Sequence, residues 1–125
     1  MIQEDKEILL IDLCARLPYG TKVRAFIGEK SENDEILGCI HIFNFYAHDC
    51  KPYLRPMSSM TEEEIDEFTQ FDVYSDGEYV MPNYEAIDWL NKHHFDYRII
   101  YDEDKKKYMS MIEKGLAIEA PEGLY

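Results

Sequence analysis

Positive charge is missing from residues 61–80, where eight carboxylates (Glu62, Glu63, Glu64, Asp66, Glu67, Asp72, Asp76 and Glu78) stand without one lysine or arginine. Such a block repels phosphate and attracts basic surfaces, so it argues against ordinary nucleic-acid binding and for a protein or cation partner. Long hydrophobic runs are missing too. The longest, residues 8–11, falls far short of a bilayer span, and the opening MIQEDKE carries acids where an export signal needs bases. The expectation is therefore a cytoplasmic protein with no membrane association. Cysteine is scarce: Cys14, Cys39 and Cys50 form an odd set without a disulfide-framework spacing, which suits reduced thiols. Glycine is nowhere gathered into a phosphate-cradling loop, so nucleotide-dependent chemistry has no support and no cofactor is expected.

What is present belongs to a folded domain. A chain of 125 residues, 46% hydrophobic and 14% aromatic, can bury a core without disulfides or metal, and residues 1–125 read as a single domain. Its net charge of -13 keeps the surface negative and disfavours DNA, RNA and anionic membranes.

Leu10, Leu13, Cys14 and Leu17 recur at helical spacing, which predicts a helix over 6–17 with one buried stripe, stopped by Pro18-Tyr19-Gly20. Residues 21–28 alternate, with Val23, Ala25 and Ile27 on one face of a strand. The β-branched and aromatic run 36–45 predicts a second, antiparallel and central strand. Pro52 and Pro56 make 51–60 read as an irregular or single-turn connector. Thr61 and Glu64 then form a capping box, opening a helix over 62–71 with Ile65, Phe68 and Phe71 inward and Met60 stapled to Ile65. Asp76-Gly77 signals a turn. Asn83 caps a helix over 84–94 that buries Ile87 and Leu90, and 95–101 reads as a third strand. A final helix over 107–114 ends at Gly115, after which Leu116 and Ile118 dock on the core.

Two constellations could carry chemistry. Cys39, His41, His48 and Cys50 are all zinc-ligand types, and strand alternation would put Cys39 and His41 on one face with His48 and Cys50 returning opposite. The spacing lacks the usual knuckle, and the plainer reading is a packed Cys39 beside partly exposed neighbours. His93, His94 and Asp96 close the 84–94 helix. Histidine titrates near neutrality and Asp96 or Asp88 could orient it, but no nucleophile pairs with it, and a helix C-terminus favours imidazolium without any catalysis. Cys14, on the apolar stripe, reads as inert core. The tyrosines read as core or rim aromatics, since no basic groove accompanies them.

Four stretches together, IDLCARLPYG, KPYLRPMSSMTEEE, AIDWLNKHHFDYR and IEKGLAIEAPEGLY, resemble a family of small uncharacterised proteins of gut-dwelling Gram-negative anaerobes, often encoded among prophage and mobile-element genes. The likeness covers about half the chain and leaves out the strand region 26–50, while 99–111 is longer than the usual join. It implies a cytoplasmic accessory protein of bacterial or phage origin and carries over no activity or site residues.

The expected fold is α+β, a small antiparallel sheet of two or three strands covered by three or four helices. The expected function is a non-catalytic interaction module that meets a protein with a basic surface, as a crude phosphate mimic. Because Glu62, Glu63 and Glu64 are assigned to the helix start, Asp66, Glu67, Asp72, Asp76 and Glu78 are the candidate binding face. The alternatives are a small metalloprotein or enzyme using one of the two constellations, and a homo-oligomeric structural accessory.

Overall fold

The structure is a computed structural model that describes residues 3–27, 30–43, 45, 50–71, 74–75, 80–81 and 84–125, with backbone only for 26–27, 30–35, 74–75 and 80–81. In chain order the elements are α1 (Gln3–Arg16), β1 (Lys22–Ile27), β2 (Lys30–Ile36), α2 (Cys39–Phe43), β3 (Cys50–Pro56), α3 (Glu62–Thr69), β4 (Tyr74–Ser75), β5 (Val80–Met81), α4 (Tyr84–Lys92), β6 (Phe95–Asp96), β7 (Ile100–Asp102), β8 (Lys107–Met109), α5 (Met111–Lys114) and β9 (Ile118–Glu119). The fold is α+β, with helices around one small mixed sheet and two separate hairpins, β4-β5 and β7-β8.

The sheet is organised by β3, which pairs antiparallel with β1 and parallel with both β6 and β9, while β2 extends β1. The sequence reading puts an irregular or single-turn connector at 51–60 and the central strand at 36–45; the structure makes 51–56 the central strand, keeps a single 3-10 turn at Met57–Ser59, and replaces the strand expected at 36–45. A strand tolerates prolines where no ladder donor is needed. The Arg55 amide donates to the His94 carbonyl (2.8 Å), and the Ala120 amide donates to the Leu54 carbonyl (2.7 Å). Successive residues of β3 thus address opposite edges, so Pro52 and Pro56, each two positions from Leu54, both turn their missing N–H to the edge that β9 borders. Pairing with β9 begins at Tyr53, after Pro52, and Pro56 closes the strand.

The apolar run at 36–45 is instead the end of β2 followed by α2. A short apolar run fits a strand or a helix by composition alone, and here the Leu37 amide leaves the strand for the Thr21 carbonyl (2.8 Å) before α2 begins. Residues 95–101 likewise split into β6 and β7, because β6 pairs with β3 for only two residues and the chain then turns out to its own hairpin.

On α1 the buried stripe is Leu9, Asp12, Leu13 and Arg16. It is rotated about one position from the expected one, and Cys14 is exposed rather than core. The cause is a buried ion pair: Arg16 Nε donates to Asp12 Oδ2 (2.8 Å) with both side chains fully buried, and Arg16 Nη2 donates to the Phe95 carbonyl (2.7 Å). Leu9 and Leu13 join Val23, Leu37, Leu54, Met111 and Leu116 in the core. The helix expected at 107–114 is a strand followed by α5, whose Ser110 and Glu113 form a capping box and whose end falls, as expected, at Gly115 with φ 78°. Tyr125 ties the final residues to the sheet. Its hydroxyl accepts from the Lys22 amide (2.8 Å) and donates to the Tyr53 carbonyl (2.7 Å).

Candidate functional site

Because β6 and β9 flank the second half of β3 on opposite edges, three parallel strands end side by side, at Pro56, Asp96 and Glu119. All three residues line one cleft of about 640 Å³. In open sheets with parallel strands, the crevice beyond the carboxyl ends is where ligands bind, since the chain must diverge there and leaves space. One wall is helical, from Phe68 of α3 and Leu90 of α4; the opposite one comes from Ile99, Tyr108 and Met109 of the β7-β8 hairpin and its approach. Lys114 fixes that hairpin from behind, with Nζ 3.2 Å from Asp5 Oδ1 and 3.5 Å from Asp102 Oδ2.

The cleft is mainly apolar with a charged floor. Asp96 accepts the Met111 and Ile112 amides (3.2 and 2.9 Å), so it fills the start of α5, and burial raises its pKa. Asp12 receives a second guanidinium as Arg98 Nε donates to its Oδ1 (2.7 Å). Both guanidiniums lie 5.3 Å from the Tyr97 ring, whose hydroxyl donates to Asn91 Oδ1 (2.9 Å). Asp12 and Asp96 balance Arg16 and Arg98 in formal charge. Glu113 and Glu119, both exposed on the rim, have no ion pair among the described residues and leave the cleft net negative.

Beside it stands α3, with the expected capping box: the Glu64 amide donates to Thr61 Oγ1 (3.2 Å) and the Thr61 amide to Glu64 Oε1 (3.0 Å). Glu64 also takes a two-pronged contact from Arg55, with Nη1 2.8 Å from Oε2 and Nη2 2.7 Å from Oε1, and this hydrogen bonding holds its pKa down at about 2. Arg55 in turn lies 4.3 Å over the Phe95 ring. Phe68 and Phe71 face inward as expected and pack on Trp89, whereas Ile65 is 46% exposed because the helix is anchored through Glu64 and the two phenylalanines.

The expected binding residues fall into different classes. Asp66 is exposed with its carboxylate unengaged among the described residues. Glu67 is exposed but accepts the Trp89 indole N–H (3.1 Å), and Asp72, Asp76 and Glu78 lie outside the described residues. Glu62 and Glu63, assigned by sequence to the helix start, are exposed with no ion pair among the described residues.

His93, His94 and Asp96 do not converge. His93 packs at a tilt on Trp89 (4.3 Å) with Nδ1 3.7 Å from Glu64 Oε2. His94, in the turn after α4, has φ 65°, stacks on Tyr125 (3.8 Å) and contacts Thr21 Oγ1 through Nδ1 (3.0 Å); burial, then Arg16, lowers its pKa to about 4. Asp96 faces α5. Neither histidine lines the cleft. Cys39 and His41 do not share a face either: on α2, two residues turn the chain by about 200°, which leaves Cys39 exposed and His41 buried, with Nδ1 accepting the Gly38 amide (2.9 Å). Cys50 is buried in β3 and His48 lies outside the described residues. No group of three or more His, Cys, Asp or Glu able to hold a metal occurs among the described residues.

Sequence reasoning missed Pro56, Tyr108 and Glu119 as neighbours because they meet only through the β6-β3-β9 arrangement. The Ser110-x-x-Glu113 box was a legible signal for the start of α5. No helix among the described residues is long and apolar enough to cross a membrane. The chain matches no protein-family model, no curated protein and no solved structure.

Proposed function

We propose that the protein is a non-catalytic interaction module that uses its acidic surface to engage a basic surface of another protein. The observation that carries this reading is the division of labour on α3. Glu64 and Glu67 are held by Arg55 and Trp89, while Glu62, Glu63 and Asp66 project from the helix with no ion pair among the described residues. The helix start offsets part of the repulsion at Glu62 and Glu63, no cation among the described residues offsets the rest, and the cost falls when a cationic surface arrives. The family likeness supports a cytoplasmic accessory role of bacterial or phage origin, and the scattering of His93, His94 and Asp96 favours binding over chemistry.

The test is affinity purification from the native host with mass spectrometry, followed by salt titration of the purified complex. A basic partner is expected, released as salt rises, because exposed attractions are screened beyond about 8–10 Å at physiological ionic strength. Paired Glu62→Lys and Asp66→Lys changes are expected to abolish the complex. Salt-independent affinity, or indifference to the charge reversal, overturns the reading.

A second reading, a homo-oligomeric accessory, draws on the exposed Ile40 and Phe43, one turn apart on α2, with Ile36 just before them. Sedimentation of wild type against Phe43→Glu tests it, with dissociation on substitution as its expected outcome.

A further inference from the structure

We infer that the cleft at the ends of β3, β6 and β9 is an anchor pocket for an apolar side chain carried on a basic segment of the partner protein. The inference rests on the interaction-module reading and specifies the chemistry of what docks.

Three observations converge on it. First, the cleft abuts the acidic helix: Phe68 of α3 forms part of its wall, whereas Asp66, two residues earlier and about 200° around the helix, faces solvent on the other side. The exposed acids of α3 therefore attract a basic segment at long range, and the cleft seats it through its own lining. Second, the mouth exposes apolar groups that a closed fold would bury: Met57 is 38% exposed, Ile99 55% and Tyr108 56%. Covering them removes apolar surface from water, and the space accommodates a large aliphatic or aromatic side chain. Third, the rim selects by charge. Of the charged residues that line the cleft, Asp96 is held by the α5 amides and Arg98 by Asp12, while Glu113, which caps α5 through one oxygen, and Glu119 are exposed with no ion pair among the described residues; they favour a lysine or arginine next to the inserted side chain and disfavour an acidic segment. Arg98, the one cation among the cleft-lining residues, is ion-paired through Nε to Asp12.

Buried apolar area of one leucine or phenylalanine side chain is worth about tenfold or more in affinity. The experiment uses the full chain and three synthetic hexapeptides. One is lysine-rich with a leucine and a phenylalanine, the second has glycine at both apolar positions, and the third replaces its lysines by glutamate. Calorimetry gives affinity. Emission of Trp89, the single tryptophan, which packs on Phe68 with ring centroids 5.6 Å apart, reports occupancy of the cleft.

The basic apolar peptide is expected to bind about tenfold or more tighter than its glycine counterpart, to shift Trp89 emission, and to outcompete the acidic one. Ile99→Asp, at an exposed position that far-UV circular dichroism will show still folded, is expected to remove the preference for apolar residues while sparing binding of the glycine peptide. Glu119→Lys is expected to weaken both basic peptides. Equal binding of the two basic peptides, or a preference that survives Ile99→Asp, overturns the anchor pocket and leaves the acidic module standing. Failure of every basic peptide to bind overturns both. Self-association that Ile99→Asp dissociates assigns the cleft to a second copy of this chain and overturns the proposal.

Discussion

Glu64 accepts from the Thr61 amide and from both terminal nitrogens of Arg55, so its negative charge is stabilised at the point where α3 meets the end of β3. The unfolded carboxyl has a pKa of 4.5 and the folded one about 2. The stabilisation is thus present in full above pH 4.5 and is lost as pH falls toward 2. His94 acts in a separate window, because its folded pKa of about 4 lies below the unfolded 6.5. The unfolded chain takes up this proton first, so stability falls as pH drops from 6.5 through 4. With the ring half-buried and screened, we expect about 1 kcal/mol from His94. Thermal melts between pH 7 and 2 should show two successive losses. His94→Asn, which tolerates the left-handed backbone, should flatten the upper one, and Glu64→Gln the lower one. A pH profile unchanged in both variants would rule this assignment out.

At the scale of elements, α1 and the segment after β6 are joined by one carboxylate between two guanidiniums. Removing Asp12 leaves Arg16 fully buried with only the Phe95 carbonyl. Asp12→Ala is therefore expected to cost about 3–5 kcal/mol in urea unfolding, whereas replacing the pair by Asp12→Leu with Arg16→Met should recover most of the loss. An equally unstable double variant would show that packing rather than stranded charge dominates. The same pair explains why the α1 stripe was misread. Apolar periodicity sees Leu10, Cys14 and Leu17, and it cannot see that a matched Asp and Arg one turn apart are able to face inward. Local signals fared better: Thr61 with Glu64 and the glycine at 115 specify helix ends through groups a few residues apart. Pro52 and Pro56 misled because a proline's cost in a strand depends on which edge its nitrogen faces, and that is decided by strands elsewhere in the chain.

For the molecule as a whole, the net charge of -13 means that the native state compresses mutual repulsion into a small volume. Salt should therefore stabilise it. Raising sodium chloride from about 10 to about 150 mM shortens the screening length from roughly 30 to 8 Å, and the melting temperature is expected to rise. A fall would mean that attractive pairs such as Arg55 with Glu64 outweigh the repulsion. The α+β class and the acidic helix could be read from sequence, since composition and periodicity carry them. The cleft could not be, because Pro56, Asp96 and Glu119 become neighbours only after β3 has found its parallel partners. That same pairing sets a schedule for synthesis. β3 leaves the ribosome while β6 and β9 are still unmade, so its apolar and backbone groups wait without their final cover. Completion of the sheet is thereby deferred until residues 118–119 have emerged, and a nascent chain stalled before residue 118 is the form most exposed to chaperones, proteases and mispairing.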